Sequence, residues 1–183
     1  MAVLGRVDAT PEERTSYVKH ANAMRKAMGE GDDDTSVVEV DEEGAEEGGD
    51  APISPERIAA LGAAEQFILT VTDTGFGKRS SAYEYRRTGR GGQGLTAHGL
   101  GGRAGTRLAA AFPVEDTDDL LLVTSNGQMI RTRVGQVRIV GRSSQGVTIF
   151  RTADGEKVVS VERLADSGGE DAPGVEVEGD GES

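Results

Sequence analysis

Hydrophobic and polar positions change their period along the chain. Between residues 10 and 28, Tyr17, Val18, Ala21, Met24, Ala27 and Met28 fall near one helical face. Thr10-Pro11-Glu12-Glu13 supplies a capping residue, a proline at the first helical position and a glutamate three residues after the cap. Gly29 follows as terminator. A second start signal, Ser54-Pro55-Glu56-Arg57, opens a helix through about Ala64. Neither helix carries a recognisable site, so a connecting or packing role is expected. Beyond residue 65 the runs shorten and become β-like. Leu120 to Thr124 is apolar, Asn126-Gly127 is a hairpin signal, and Met129 to Val134 continues the pattern. Gln136 to Val140 alternates with Val137 and Ile139 on one side, which predicts another strand. Val147 to Phe150, a turn at Asp154-Gly155 and Val158 to Val161 complete the set.

The β region repeats itself. With a shift of 52, Val71-Thr72-Asp73-Thr74-Gly75 falls on Val123-Thr124-Ser125-Asn126-Gly127, and Arg79 falls on Arg131. Gly89-Arg90-Gly91-Gly92-Gln93-Gly94 falls on Gly141-Arg142-Ser143-Ser144-Gln145-Gly146. The register then slips by two, so that Leu108 to Ala111 faces Val158 to Val161. Four or five strands in about fifty residues is the size of a propeller-type blade. Met1 to Leu4 resembles the closing strand of a preceding unit, which places the chain at the end of a longer array.

Charge is unevenly spread. The formal net charge is −12, with 20 basic and 32 acidic residues. Residues 30–50 hold 11 acidic residues and residues 166–183 hold 7, with no Lys or Arg in either stretch. Residues 65–164 hold 14 basic against 10 acidic residues, a mildly basic centre. The polyanionic stretches are poor in apolar residues and are expected to be disordered. Each is a solvating tail or an intramolecular competitor for whatever the basic centre binds. The absence of Cys excludes disulfides, thiolate metal sites and cysteine nucleophiles. No apolar run approaches the roughly 20 residues of a membrane span and no signal peptide is evident, so the expected location is the cytoplasm.

The segment Phe67 to Leu95, with Thr-Gly-Phe-Gly-Lys-Arg and Gly-Arg-Gly-Gly-Gln-Gly, resembles a blade of the C-terminal domain of the DNA gyrase A subunit. Leu120 to Leu164, with Arg-Thr-Arg-Val, Ile-Val-Gly-Arg and Gln-Gly-Val, is similar to the last blade of that domain. The corresponding chain of topoisomerase IV is the nearest competitor. The resemblance implies an all-β, propeller-like β-pinwheel: a closing strand at 1–4, an insertion with two helices and an acidic linker at 5–64, a penultimate blade at 65–116, a last blade at 117–165 and an acidic tail at 166–183. It implies duplex DNA as partner, with wrapping that supports negative supercoiling by a heterotetramer of two A and two B subunits, associated with the nucleoid. ATP and Mg2+ are implied for the holoenzyme through the B subunit, not for this segment. The family's Gln-Arg-Arg-Gly-Gly-Lys-Gly box has only a degenerate cousin in Gly89 to Gly94. Tyr17, Tyr83 and Tyr85 lack the Arg-Tyr-Thr context of the cleaving nucleophile, so no catalytic residue is expected.

Phosphates favour Lys and Arg, and the planar Arg fork can bridge phosphate oxygens. The repeated loop pairs one Arg with glycines, suggesting a guanidinium beside open backbone N–H groups. Arg90 and Arg142 therefore lead the candidates, followed by Lys78, Arg79, Arg131, Arg133, Arg86, Arg87 and Arg138. Their bland alternative is a solvated strand face with turn glycines. Gly89 to Gly94 also fits a dinucleotide fingerprint, but Thr96 to Gly105 contains four Gly and makes a poor following helix. His20 and His98 are isolated, and Asp116, Asp118 and Asp119 read as an exposed turn, so no metal site is expected. A protein-interaction propeller segment is the main competing function. A free-standing enzyme lacks any nucleophile–base constellation.

Overall fold

The computed structural model describes residues 3–29, 53–86, 91–92 and 94–165. The acidic stretches, the first half of the expected closing strand, Arg87 and Arg90 lie outside the described residues. Helix α1 (Pro11–Ala27) starts as the capping signal requires: Thr10 Oγ1 accepts from Glu13 N at 3.2 Å, and Glu13 Oε2 accepts from Thr10 N at 2.9 Å. Helix α2 (Pro55–Ala63) is capped by Ser54. Arg57 of α2 pairs with Glu13 at 2.8 Å, and that hydrogen bond holds the carboxyl down at about 2. Tyr17, Val18, Leu61 and Tyr83 form a small core of their own, with the Tyr17 and Tyr83 rings edge-to-face at 5.3 Å. The helices thus pack on the β region, the packing role expected of them.

Two antiparallel sheets follow. Strands β1 (Phe67–Thr72), β2 (Phe76–Ser81) and β3 (Leu108–Val114) belong to the first unit, and β4 (Asp119–Thr124), β5 (Met129–Arg133), β6 (Val147–Thr148) and β7 (Val158–Leu164) to the second. The sheet orders are β3-β1-β2-β6 and β5-β4-β7. The repeat holds in fine detail. Both units carry a bulge at the same place, Val71/Thr72 and Val123/Thr124, and both turn after the hairpin through a 3₁₀ segment, Ala82–Glu84 and Val134–Gln136. The two-residue slip is real: Thr72 pairs with Leu108, and Thr124 with Val158.

One strand crosses between units. β6 comes from the second repeat but pairs with β2 of the first, Phe76 opposite Thr148 and Gly77 opposite Val147. The main core is likewise shared, with Leu69, Val71 and Val114 packed among Leu120, Leu122, Val134, Val137, Val158 and Val161. Each such side chain contributes about 2 kcal/mol on burial, so each unit stabilises the other.

Three expectations need correction. Gln136 to Val140 is not a strand; residues 134–136 form the 3₁₀ turn, and only Ile139 bridges Arg79. Val137 is buried in the core shared by both units, and Val140 N donates to Arg79 O of the first, contacts that alternation cannot specify. The Asn126-Gly127 turn is wider than two residues, with Gly127 alone at positive φ (81°) and Thr124 N donating to Gln128 O. Val3 and Leu4 form no strand. Among the described residues no helix is long and apolar enough to cross a membrane.

Candidate nucleic-acid interface

The strand pleat separates the basic residues into two groups. β2 is covered along its edge by β6 and by the segment preceding it, so five of its six residues are buried. β5 occupies the same place in the second unit, but no described residue pairs with its outer edge, and its residues alternate. Met129, Arg131 and Arg133 are exposed, whereas Ile130 and Thr132 turn towards Leu122 and Leu120. Arg131 Nε donates to Asp119 at 2.7 Å and remains largely exposed. Arg133 and Arg138 are exposed and make no ion pair among the described residues.

Lys78 and Arg79 do not join that surface. Lys78 is fully buried, and its ammonium donates to Gly141 O at 2.8 Å, to Ser144 O at 2.8 Å and to Arg142 O. An ammonium buried without partners would cost several kcal/mol, and these three carbonyls are the compensation. Burial still lowers Lys78 to about 7, opposed by the Glu84 carboxylate and reinforced by the Arg142 charge. Arg79 is buried over the Phe67 ring, donates Nε to Val137 O at 2.7 Å and pairs with Asp116. Neither side chain is placed to meet a phosphate. They hold the second unit's backbone instead.

The Arg142 loop is correspondingly different from an open anion nest. Arg142 N donates to Glu84 Oε2 at 2.6 Å, and Ser144 N donates to Gly141 O. The half-buried Arg142 side chain lies across the first unit, with Nη1 donating to Thr96 O. Gly146 has φ of 74° and sits where a Cβ would come within 2.5 Å of Gly77 O, so its glycine serves close packing against β2. Arg86 is exposed at the edge of the undescribed 87–90 stretch.

Three polar residues that sequence reasoning left aside complete this seam. His98 is buried; its Nε2 faces Gln145 O at 2.9 Å, so it must donate there, and Nδ1 accepts from Thr70 Oγ1 at 2.8 Å. Burial and the nearby Lys78 charge lower His98 to about 4, against the bond to Gln145. Burial raises Glu84, opposed by the Arg142 N–H and the Lys78 charge. Ser80 Oγ donates to Val140 O at 3.1 Å. A signal existed in the repeat: at a shift of 52, Thr70, Lys78, Glu84 and His98 correspond to Leu122, Ile130, Gln136 and Phe150. Of the aspartates, Asp116 lies exposed in the turn as expected, and Asp118 does not. Asp118 is buried against Arg163 at 2.7 Å, while Asp116 and Asp119 pair with Arg79 and Arg131. Among the described residues no group of three or more His, Asp or Glu could hold a metal ion.

Repeated antiparallel units that lend a strand to their neighbour define a propeller-type blade array. The family model for the DNA gyrase C-terminal domain, beta-propeller, matches residues 66–100 and 118–165. The DNA gyrase A subunit of Granulibacter bethesdensis is 50% identical over 96% of the chain and 19% of its own length, and that of Rickettsia bellii is 41% identical over 91% of the chain and 17% of its own length. A solved DNA gyrase A C-terminal domain superposes with a TM-score of 0.51 at 25% identity, covering 55% of this chain and 34% of that one. The two β units belong to the gyrase A C-terminal domain family. The chain spans about a fifth of the length of its curated relatives.

Proposed function

We propose that the chain is a DNA-binding and DNA-wrapping segment of the A subunit of a gyrase-type topoisomerase. The observation that carries this reading is that both β units fall within the gyrase A C-terminal family. The exposed Arg131, Arg133 and Arg138, with Arg142 at the seam, supply cations for backbone phosphates. Arg90, Arg86 and Arg87 extend the same set. The segment works within a heterotetramer of two A and two B subunits, and ATP and Mg2+ enter only through the B subunits, where they drive supercoiling. The segment itself performs no strand cleavage.

Duplex binding by the 183-residue chain, measured as salt is raised from 50 to 200 mM, tests this. With about three phosphates neutralised, affinity should fall by about 40-fold. No binding, or a response flat in salt, would favour the alternative of a protein-interaction segment.

A further inference from the structure

A charged side chain in the interior of a small β unit requires a reason. Lys78 reaches no outer surface, yet all its donors go to the loop that carries Arg142. Glu84 takes the same loop's Arg142 N–H, and His98 takes its Gln145 carbonyl. Three side chains of the first unit therefore fix the backbone of residues 141–145 of the second, on its carbonyl side and on its amide side.

The second unit shows what these residues are not for. It forms the same hairpin, the same bulge and the same 3₁₀ turn with Ile130 where the first has Lys78, Gln136 for Glu84 and Phe150 for His98. The blade fold does not need the polar set. It occurs where a neighbour's loop is held and is missing on β5, whose outer edge no described residue covers.

We propose that Lys78, with Glu84 and His98, is a positioning element that sets the shape of the Arg142 loop, so that the second unit's phosphate contact depends on the interior of the first. This rests on the DNA-binding role proposed for the segment. A buried amine cannot contribute a phosphate contact directly; it acts by holding Arg142 Cα and the flanking carbonyls in place.

The test is a double-mutant cycle on the full chain, read as duplex affinity and salt slope at constant pH, with thermal stability alongside. Arg142→Ala should weaken binding about fivefold and reduce the salt slope by about one. Lys78→Met should cost the same affinity and the same slope, although the lost charge is buried, and the double variant should lose no more than either alone. Glu84→Ala provides a second arm that spares the buried amine. Removing a carboxylate beside a cationic site should tighten DNA binding by charge alone, whereas loss of the loop's anchor should weaken it, and weakening is expected here.

Unchanged affinity in Lys78→Met, with only a lowered melting temperature, would overturn the proposal. So would additive losses in the double variant, or tighter binding by Glu84→Ala. If Lys78→Met fails to fold, the sign of the Glu84→Ala effect decides. The triple variant R131A/R133A/R138A separates the two levels of inference. If it weakens binding while Arg142→Ala does not, the positioning role fails and the DNA-binding role stands. If the wild-type chain binds no duplex, both fall.

Discussion

β2 and β5 are the same strand in two copies of one unit, and their environments differ almost completely. Phe76 to Ser81 is buried along nearly its whole length, with a lysine and an arginine inside. Met129 to Arg133 alternates, and its Met129 is 70% exposed. The difference does not lie within the units, which share the hairpin register, the bulge against the third strand and the 3₁₀ turn. It lies in what covers the edge: β6 and the 135–146 segment lie over β2, and no described residue covers β5 in that way. Coverage then dictates chemistry. A covered edge must match backbone groups arriving from another unit, so it carries Lys78, Arg79 and Ser80 as donors to carbonyls. An uncovered edge can leave Arg131 and Arg133 in water.

Substitutions at matched positions should expose this asymmetry. The largest effect is expected for Gly146→Ala, which combines a positive φ with a Cβ 2.5 Å from Gly77 O. Urea unfolding should show a loss of about 3–5 kcal/mol. Its counterpart Gly94 faces open space, so Gly94→Ala should stay within about 0.5 kcal/mol. Equal losses at both sites would mean that the covered edge is not the source of the constraint.

The reciprocal swap comes next. Lys78→Ile, which installs the second copy's residue, strips donors from three carbonyls and should cost about 3 kcal/mol. Ile130→Lys places an amine on the open strand, where its stem can lie along the sheet and its head can reach water. That change should cost less than about 1 kcal/mol by the same measurement.

A pH series sharpens the comparison at His98, whose second-copy equivalent is Phe150. Its folded value of about 4 lies below the ordinary 6.5, so the unfolded chain binds the extra proton. The associated stability is fully present above about pH 6.5 and is lost as pH falls towards 4, up to about 3 kcal/mol. Glu13, held at about 2, keeps its full contribution above its ordinary 4.5 and loses it only as pH falls from there towards 2, so the windows separate. His98→Gln should flatten the profile between pH 6.5 and 4.5, and a persisting slope there would assign it to another group.

The smallest change is expected at the exposed edge itself. Met129→Lys alters a residue that is 70% exposed on a strand edge no described residue covers, and should leave the melting temperature within about 1–2 °C.

Much of this architecture is written locally. The Thr10 and Ser54 caps act over three residues, the β runs pair through nearby turns, and the repeat with its two-residue slip is visible by laying the chain on itself. The helices, the two units, their main strands and the family resemblance could therefore be read from the order of residues. Which cations are interior could not. Lys78 and Arg79 read as phosphate ligands beside Arg131 and Arg133 because all four are cations on the second strand of a hairpin, and Arg79 falls on Arg131 in the repeat. Lys78's partners Gly141, Arg142 and Ser144 lie 63 to 66 residues away, and Arg79's partners Asp116 and Val137 lie 37 and 58 residues away. The failed strand at Gln136 to Val140 has the same origin, since its backbone hydrogen bonds run to Arg79 of the first unit and not to a ladder of its own. Local hydrogen-bonding patterns and periodicity specify an element, but whether its charged side chains face water or a neighbour's carbonyls depends on a packing contact that no local pattern contains.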